Sequence, residues 1–257
     1  MYSIGVDIGS TCAKVVVLEQ DGALLHHMVI ATGWSSGNAA EVIRAQLLET
    51  GYDVLGAPCV GTGYGRLNIP YADKTITEIT CHGKGSAYLF GPGPAVVIDI
   101  GGQDTKIIAV DNGAVQDFLM NDKCSAGTGR FLEVMANTLA MEPGHLCELA
   151  RHGSHVTISS MCTVFAESEV ISLIGSGAAK EDIAFGIVDS ICTKVASQFS
   201  RLTAANSSSC YLTGGLCESP FILELLSQKI GRKVQSQSLA RYAGAIGAAQ
   251  FAQKIKK

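Results

Sequence analysis

The chain has 257 residues, 47% of them hydrophobic and 16% charged, enough apolar material for a sizeable core and too apolar for a disordered segment. Its 19 basic and 23 acidic residues leave a formal charge of -4 with no Lys/Arg stripe, which argues against a nucleic-acid partner. The opening residues carry no basic leader, and no uncharged apolar run nears the roughly 18 residues of a membrane span, so a soluble cytoplasmic protein without membrane association is expected.

Two residue types narrow the field. The 29 glycines point to tight turns or close backbone approach to a ligand, and phosphate-binding loops are the first expectation. The nine cysteines are odd in number and contain no CxxC pair. That pattern favours reduced thiols and argues against a zinc or iron-sulfur centre completed within one chain.

In chain order, an apolar run from Ile4 to Ile8 ends at Asp7-Ile8-Gly9-Ser10-Thr11. A second run follows, then an Asp21-Gly22 hairpin signal and a third strand. The same grammar returns 92 positions later as Ala95 to Ile100, then Asp99-Ile100-Gly101-Gly102-Gln103-Asp104-Thr105-Lys106, then Asn112-Gly113. Asp, Ile, Gly and Lys fall in identical places in the two copies. Each copy reads as strand, turn, strand, turn, strand. An aspartate ending the first strand beside glycine N-H groups suits Mg²⁺ and phosphate oxygens.

Helices follow each copy. Val42, Ile43, Leu47 and Leu48 predict one over 38–50, stopped by Gly51, then a short strand over 58–62 and a helix over 76–90. The second half predicts helices over 128–140, 164–174, 181–203, 219–230 and 239–254, interleaved with strands near Val156 and over Tyr211 to Thr213. This alternation implies an α/β fold duplicated into two lobes around a cleft.

The paired turns, followed by Leu212-Thr213-Gly214-Gly215 after a strand, resemble the actin-like ATPase (ribonuclease H-like) fold of sugar kinases, chaperone ATPase domains and actin. The resemblance implies ATP with Mg²⁺ in the cleft. Asp7, Gly9, Ser10, Thr11 and Lys14 would form the first phosphate loop, and Asp99, Gly101, Gly102, Gln103, Asp104 and Thr105 the second. Gly214 and Gly215 would approach the adenosine, Asp7 and Asp99 would lie near the metal, and Gln103 or Asp104 would orient the attacking water. The implied domains are a first lobe over 1–91, a second over 92–238, and a C-terminal helix over 239–257 packing back on the first lobe.

A narrower resemblance lies in Asn121-Asp122-Lys123-Cys124-Ser125-Ala126-Gly127-Thr128-Gly129-Arg130-Phe131-Leu132-Glu133 and Ser159-Ser160-Met161-Cys162-Thr163-Val164-Phe165-Ala166-Glu167. With the second phosphate turn, these are similar to the ATP-dependent activators of 2-hydroxyacyl-CoA dehydratases and the ATPase subunits of benzoyl-CoA reductases. On the residue pattern alone, Cys124 and Cys162 read as buried or reactive thiols opening helices. The resemblance instead implies a homodimer in which each chain gives these two cysteines to one shared 4Fe-4S cluster. It implies a ferredoxin or flavodoxin as electron donor and an iron-sulfur dehydratase or reductase as acceptor, in anaerobic metabolism. Gly127 and Gly129 would open a helix at the nucleotide, with Glu133 reaching the ribose or standing as a solvated carboxylate.

The remaining candidates are read structurally. The other seven cysteines are assigned to packing, with Cys12 in the first turn the least settled. His26 and His27 point to opposite faces of a strand, and His82 shows no partner pattern. Trp34 reads as loop packing, with an exposed contact as the alternative, and Arg241 stands where relatives often carry Gln. The competing function is a small-molecule kinase, of sugar or pantothenate type, on the same fold with structural cysteines.

Overall fold

A computed structural model describes residues 1–159, 162–202 and 209–256. Ser160 and Met161 of the second cysteine segment, Thr203 at the end of the helix predicted over 181–203, and Lys257 lie outside the described residues. The chain divides into two compact units. The first comprises Met1–Pro94, Val110–Gln116 and the chain from Leu239 onward; the second comprises Ala95–Ala109 and Asp117–Ser238.

In the first unit β1 (Tyr2–Ile8) runs antiparallel to β2 (Cys12–Glu19), which pairs with β3 (Leu24–Ala31). β4 (Cys59–Thr62) adds parallel to β1, and β5 (Lys74–Thr75) closes the order β3-β2-β1-β4-β5. The two-residue period sorts the core. Ile4, Val6, Ile8, Val15 and Val17 meet Ile43 and Leu47 of α1 (Ser36–Glu49), while Val16 and Leu18 meet Ala245, Ile246 and Ala249 of α8 (Ala243–Ala252). A strand buried on both faces has no room for alternation in polarity, which is why β2 reads as a continuous apolar run from Val15 to Leu18. Ser35 caps α1 by accepting from Asn38 N at 3.3 Å, and Thr77 caps α2 (Glu78–Phe90).

The second sheet, whose β7–β8 hairpin over Val110–Gln116 is grouped with the first unit, repeats the plan. β6 (Ala95–Ile100), β7 (Thr105–Asp111) and β8 (Ala114–Asn121) follow one another, and β9 (Ser209–Gly214) returns parallel to β6 with β10 (Val234–Gln235) beside it. The order β8-β7-β6-β9-β10 matches the first sheet strand for strand, so the duplication extends beyond the three strands expected from the repeat. Asn112 and Gly113 take φ of 50° and 78°, the left-handed pair that a two-residue hairpin turn of this hand requires. The helices are α3 (Gly129–Thr138), α4 (Pro143–Ala150), α5 (Thr163–Gly175), α6 (Lys180–Phe199) and α7 (Pro220–Ile230).

Two expectations change. The strand predicted near Val156 is irregular chain: His155 turns it with φ 66°, Ser154 N donates to the Asp182 carboxylate at 2.8 Å, and the Val156 carbonyl abuts Gly186 of α6, so the segment packs on a helix instead of pairing. The helix predicted over 239–254 opens with a 3-10 turn, Ala240–Tyr242, before α8. α4 was not anticipated, although Pro143 at its first position is a start signal. No helix among the described residues is long and apolar enough to cross a membrane.

Close packing of α2 on α8 depends on Gly85, where a β-carbon would strike the Ala243 carbonyl. Gly85→Leu should lower unfolding free energy by about 1–3 kcal/mol or more through overpacking, read by denaturant titration.

Candidate functional site

In the first unit the turn between β1 and β2 is closed by Gly9 N donating to Cys12 O at 3.1 Å, and Thr32 Oγ1 braces it by donating to Gly9 O at 2.8 Å. Asp7, 2% exposed, stands opposite Lys14 in the β1–β2 register. The Lys14 ammonium arches over the turn, 3.9 Å from where a Gly9 β-carbon would lie. Among the described residues nothing donates to Asp7 Oδ1, although that oxygen is buried. A carboxylate only accepts, so an oxygen left this way suits a cation or its water, and Mg²⁺ fits the chemistry.

Two glycines keep that carboxylate open. Gly63 adopts φ 86°, and a β-carbon there would strike Asp7 Oδ1 and the Ile8 carbonyl. At Gly244 a β-carbon would lie 3.1 Å from Asp7 Cγ and 3.1 Å from Cε1 of the buried His82. His82 Nδ1 bonds to the Glu78 carbonyl at 3.0 Å, which assigns its proton to that nitrogen because a carbonyl only accepts. Nothing in the sequence related His82, Gly63 and Gly244 to Asp7, because their meeting there is made by three separate elements.

In the second unit Asp99, 3% exposed, ends β6 and accepts from Thr213 Oγ1 at 2.9 Å on Oδ1. Its Oδ2 receives Lys106 Nζ at 3.4 Å, and the same ammonium reaches Asp104 Oδ1 at 2.8 Å. Lys106 was signalled by the repeat, which aligns it with Lys14, yet it was absent from the expected site. The turn closes through Gly101 N to Asp104 O at 2.9 Å. Its outward carbonyls are taken by the start of α3: Gly129 N donates to Gly101 O at 2.9 Å and Arg130 N to Gly102 O at 2.7 Å. Thr105 turns its hydroxyl to Gly127 O at 2.6 Å, tying the turn to the α3 entry. Gly214 pairs in register with Ile100, and Gly215 N donates to Ile100 O at 3.3 Å, so the glycine pair adjoins the second turn. Ser10, Thr11, Gly102 and Gln103 lie in the turns themselves, and Glu133 pairs with Arg130 at 3.3 Å.

The cysteines separate by exposure. Cys124 and Cys162 are exposed, Cys12 is half-buried and the other six are buried. Ser125 and Thr163, the residues following the two exposed cysteines, share a hydroxyl hydrogen bond of 2.7 Å, and Asn121 Nδ2 donates to Cys124 O at 2.8 Å. The helix-opening expectation needs correction for one of them. Cys162 is the N-cap of α5, but Thr128 is the N-cap of α3, and the left-handed Gly127, φ 82°, intervenes between that helix and Cys124. Because the first α3 N-H groups already bind the second turn, its dipole is directed there and not at Cys124. Trp34 is 95% exposed, so it does not pack its loop. His26 and His27 take opposite faces as expected, against Tyr52 and Tyr242.

Two glycine turns, each beside a buried aspartate, and a glycine pair after a parallel strand are features of the actin-like ATPase fold, the fold of the solved structures that this chain matches. The chain belongs to the BadF/BadG/BcrA/BcrD ATPase family, whose profile matches residues 4–252. It is 40% identical over 260 residues to the (R)-2-hydroxyglutaryl-CoA dehydratase activating ATPase of Acidaminococcus fermentans, covering 99% of this chain and 98% of that one. The crystal structure of the Acidaminococcus fermentans (R)-2-hydroxyglutaryl-CoA dehydratase component A matches with a TM-score of 0.91 at 38% identity, over 99% of this chain and 98% of that one. The activator of the 2-hydroxyisocaproyl-CoA dehydratase from Clostridium difficile, solved with bound ADPNP, matches with a TM-score of 0.89 at 35% identity, over 100% and 99% of the respective chains.

Burial pushes the Cys81 thiol up to about 12 and that of Cys147 up to about 11, and raises those of Cys192 and Cys210. A raised pKa keeps the unreactive protonated form at neutral pH. Iron-free native chain treated with an aromatic disulfide should therefore lose two thiols quickly, mapped by peptide mass to Cys124 and Cys162, with the buried ones reacting only on unfolding.

Proposed function

We propose that this chain is the ATP-hydrolysing activator of an iron-sulfur 2-hydroxyacyl-CoA dehydratase or a related reductase, acting as a cytoplasmic homodimer. The observation that carries the reading is the pairing of the only two exposed thiols among nine, joined through Ser125 and Thr163. Two thiolates make half of the four-cysteine set that a 4Fe-4S cluster takes, so a second copy completes it. α5, which Cys162 caps, exposes Val164 and Phe165 next to that cysteine and Ile171 and Ile174 further along, apolar surface suited to covering by another chain. When bound, the cluster supplies low-potential one-electron reduction, with ferredoxin or flavodoxin as the class of donor.

The nucleotide chemistry belongs to the two turns. Asp7, whose Oδ1 has no donor among the described residues, would hold Mg²⁺, which would neutralise phosphate charge, and Lys14 and the turn N-H groups would take phosphate oxygens. The Gly214-Gly215 pair leaves room for adenosine. In hydrolysis the water oxygen bonds to the γ-phosphorus as the bond to the bridging oxygen breaks. ADP leaves, and the water's proton departs with the released phosphate. A side chain of the second turn, Gln103 or Asp104, orients the water, and catalysis rests on charge and position more than on a strong base. The kinase alternative would give two exposed cysteines no task.

Anaerobic preparation should yield about one 4Fe-4S cluster per two chains, and Cys124→Ser or Cys162→Ser should abolish its visible absorption while ATP hydrolysis persists. Full iron and sulfide in both single variants would remove the ligand assignment. Asp7→Ala should show the converse, a normal cluster with Mg-ATP hydrolysis lowered by about 100-fold or more. Hydrolysis that appears only when a sugar or pantothenate-like acceptor is added would favour the kinase.

A further inference from the structure

The two phosphate turns are copies, yet their charges differ. Where the second turn has Asp104, the first has the uncharged Cys12, and in the second turn Lys106 meets two carboxylates. Lys106 is also far more deeply placed, 1% exposed and among the largest fully buried side chains of the chain. A buried ammonium is tolerable only when paired and hydrogen-bonded, and here Asp104 at 2.8 Å and Asp99 at 3.4 Å meet that need. The pairing dictates where Asp104 goes. Its carboxylate folds inward over Gly101, a position open only because that residue lacks a β-carbon, which would strike Asp104 Oδ1. Gln103, one residue earlier, behaves oppositely: its side chain is exposed and hydrogen-bonds to no described residue.

We propose that Lys106 is the positioning residue of the second turn, drawing Asp104 inward, and that Gln103 is the catalytic residue that touches the attacking water. The inference rests on the ATPase reading above and settles which of the two neighbouring side chains performs the orienting task. A primary amide suits that task, since its oxygen accepts from the water while its N-H donates to a phosphate oxygen. Being neutral, it takes no proton, and the water's proton leaves with the phosphate product. Asp104 then serves Lys106, keeping a buried positive charge under the turn where phosphate negative charge develops.

The test compares steady-state ATP hydrolysis, Mg-ADP affinity by calorimetry and thermal midpoint across four variants. Gln103→Ala should lower kcat by about 100-fold with the Mg-ADP Kd within about threefold, the split expected for a contact made in the transition state. Asp104→Asn should lower kcat at least about tenfold less than Gln103→Ala does. Lys106→Met leaves the buried Asp99 and half-buried Asp104 carboxylates without their shared cation, so kcat and the thermal midpoint should both fall. Adding Asp104→Asn to Lys106→Met should recover about tenfold in kcat and part of the midpoint, a coupling that independent structural roles would not produce. If Lys106→Met fails to fold, folding of the double variant gives the same answer in another readout. A larger loss in Asp104→Asn than in Gln103→Ala overturns the assignment of Gln103, and a double variant no better than Lys106→Met overturns that of Lys106. Wild-type chain that hydrolyses no Mg-ATP sinks the ATPase reading and this inference together, whereas wild-type hydrolysis with the reversed variant pattern sinks this inference alone.

Discussion

The second glycine turn and the cysteine loop are one hydrogen-bonded body, and the rest of the second unit is built around that constraint. A helix leaves its first N-H groups without partners, and α3 gives two of them to the carbonyls of Gly101 and Gly102. Thr105 answers from the turn by holding the Gly127 carbonyl, and the Ser125 hydroxyl extends the chain of contacts to Thr163 at the head of α5. Neither α3 nor the loop bearing Cys124 can shift without disturbing bonds to the turn. The second turn is thus joined to α3 by backbone groups that substitution does not remove, and to the loop bearing Cys124 by the Thr105 hydroxyl.

The architecture was largely readable because its signals are local and repeated. Asp7 and Asp99, the two lysines and the Asp21-Gly22 and Asn112-Gly113 hairpins announce each copy, and apolar spacing places the helices within a few residues. What stayed hidden was set by distant partners. β5 and β10 have two residues each, too few to carry a period. The chain near Val156 has the composition of a strand, but Asp182 and Gly186 give it a helix to lie on. The carboxylate of Asp7 is legible as a candidate, while the gathering of Gly63, His82 and Gly244 around it is not, since no spacing rule relates positions that meet only after folding.

Duplication also conceals differences that matter. The same turn geometry is reached with a serine, a threonine and a half-buried cysteine in one copy and with glycine, glutamine and aspartate in the other. Buried charge then separates the copies further. Asp7 keeps an oxygen that nothing among the described residues satisfies, whereas each oxygen of Asp99 has a donor. Related sequences folded alike therefore present unlike electrostatics on a symmetric backbone.

The outward face of α5 has a consequence for how the protein behaves in bulk. Phe165 alone is 68% exposed, and with Val164, Ile171 and Ile174 it forms a surface that water does not favour. Whatever covers that surface binds only the folded chain and so stabilises it by mass action. If the cover is another copy, the melting temperature rises with protein concentration, and dilution becomes a mild denaturant.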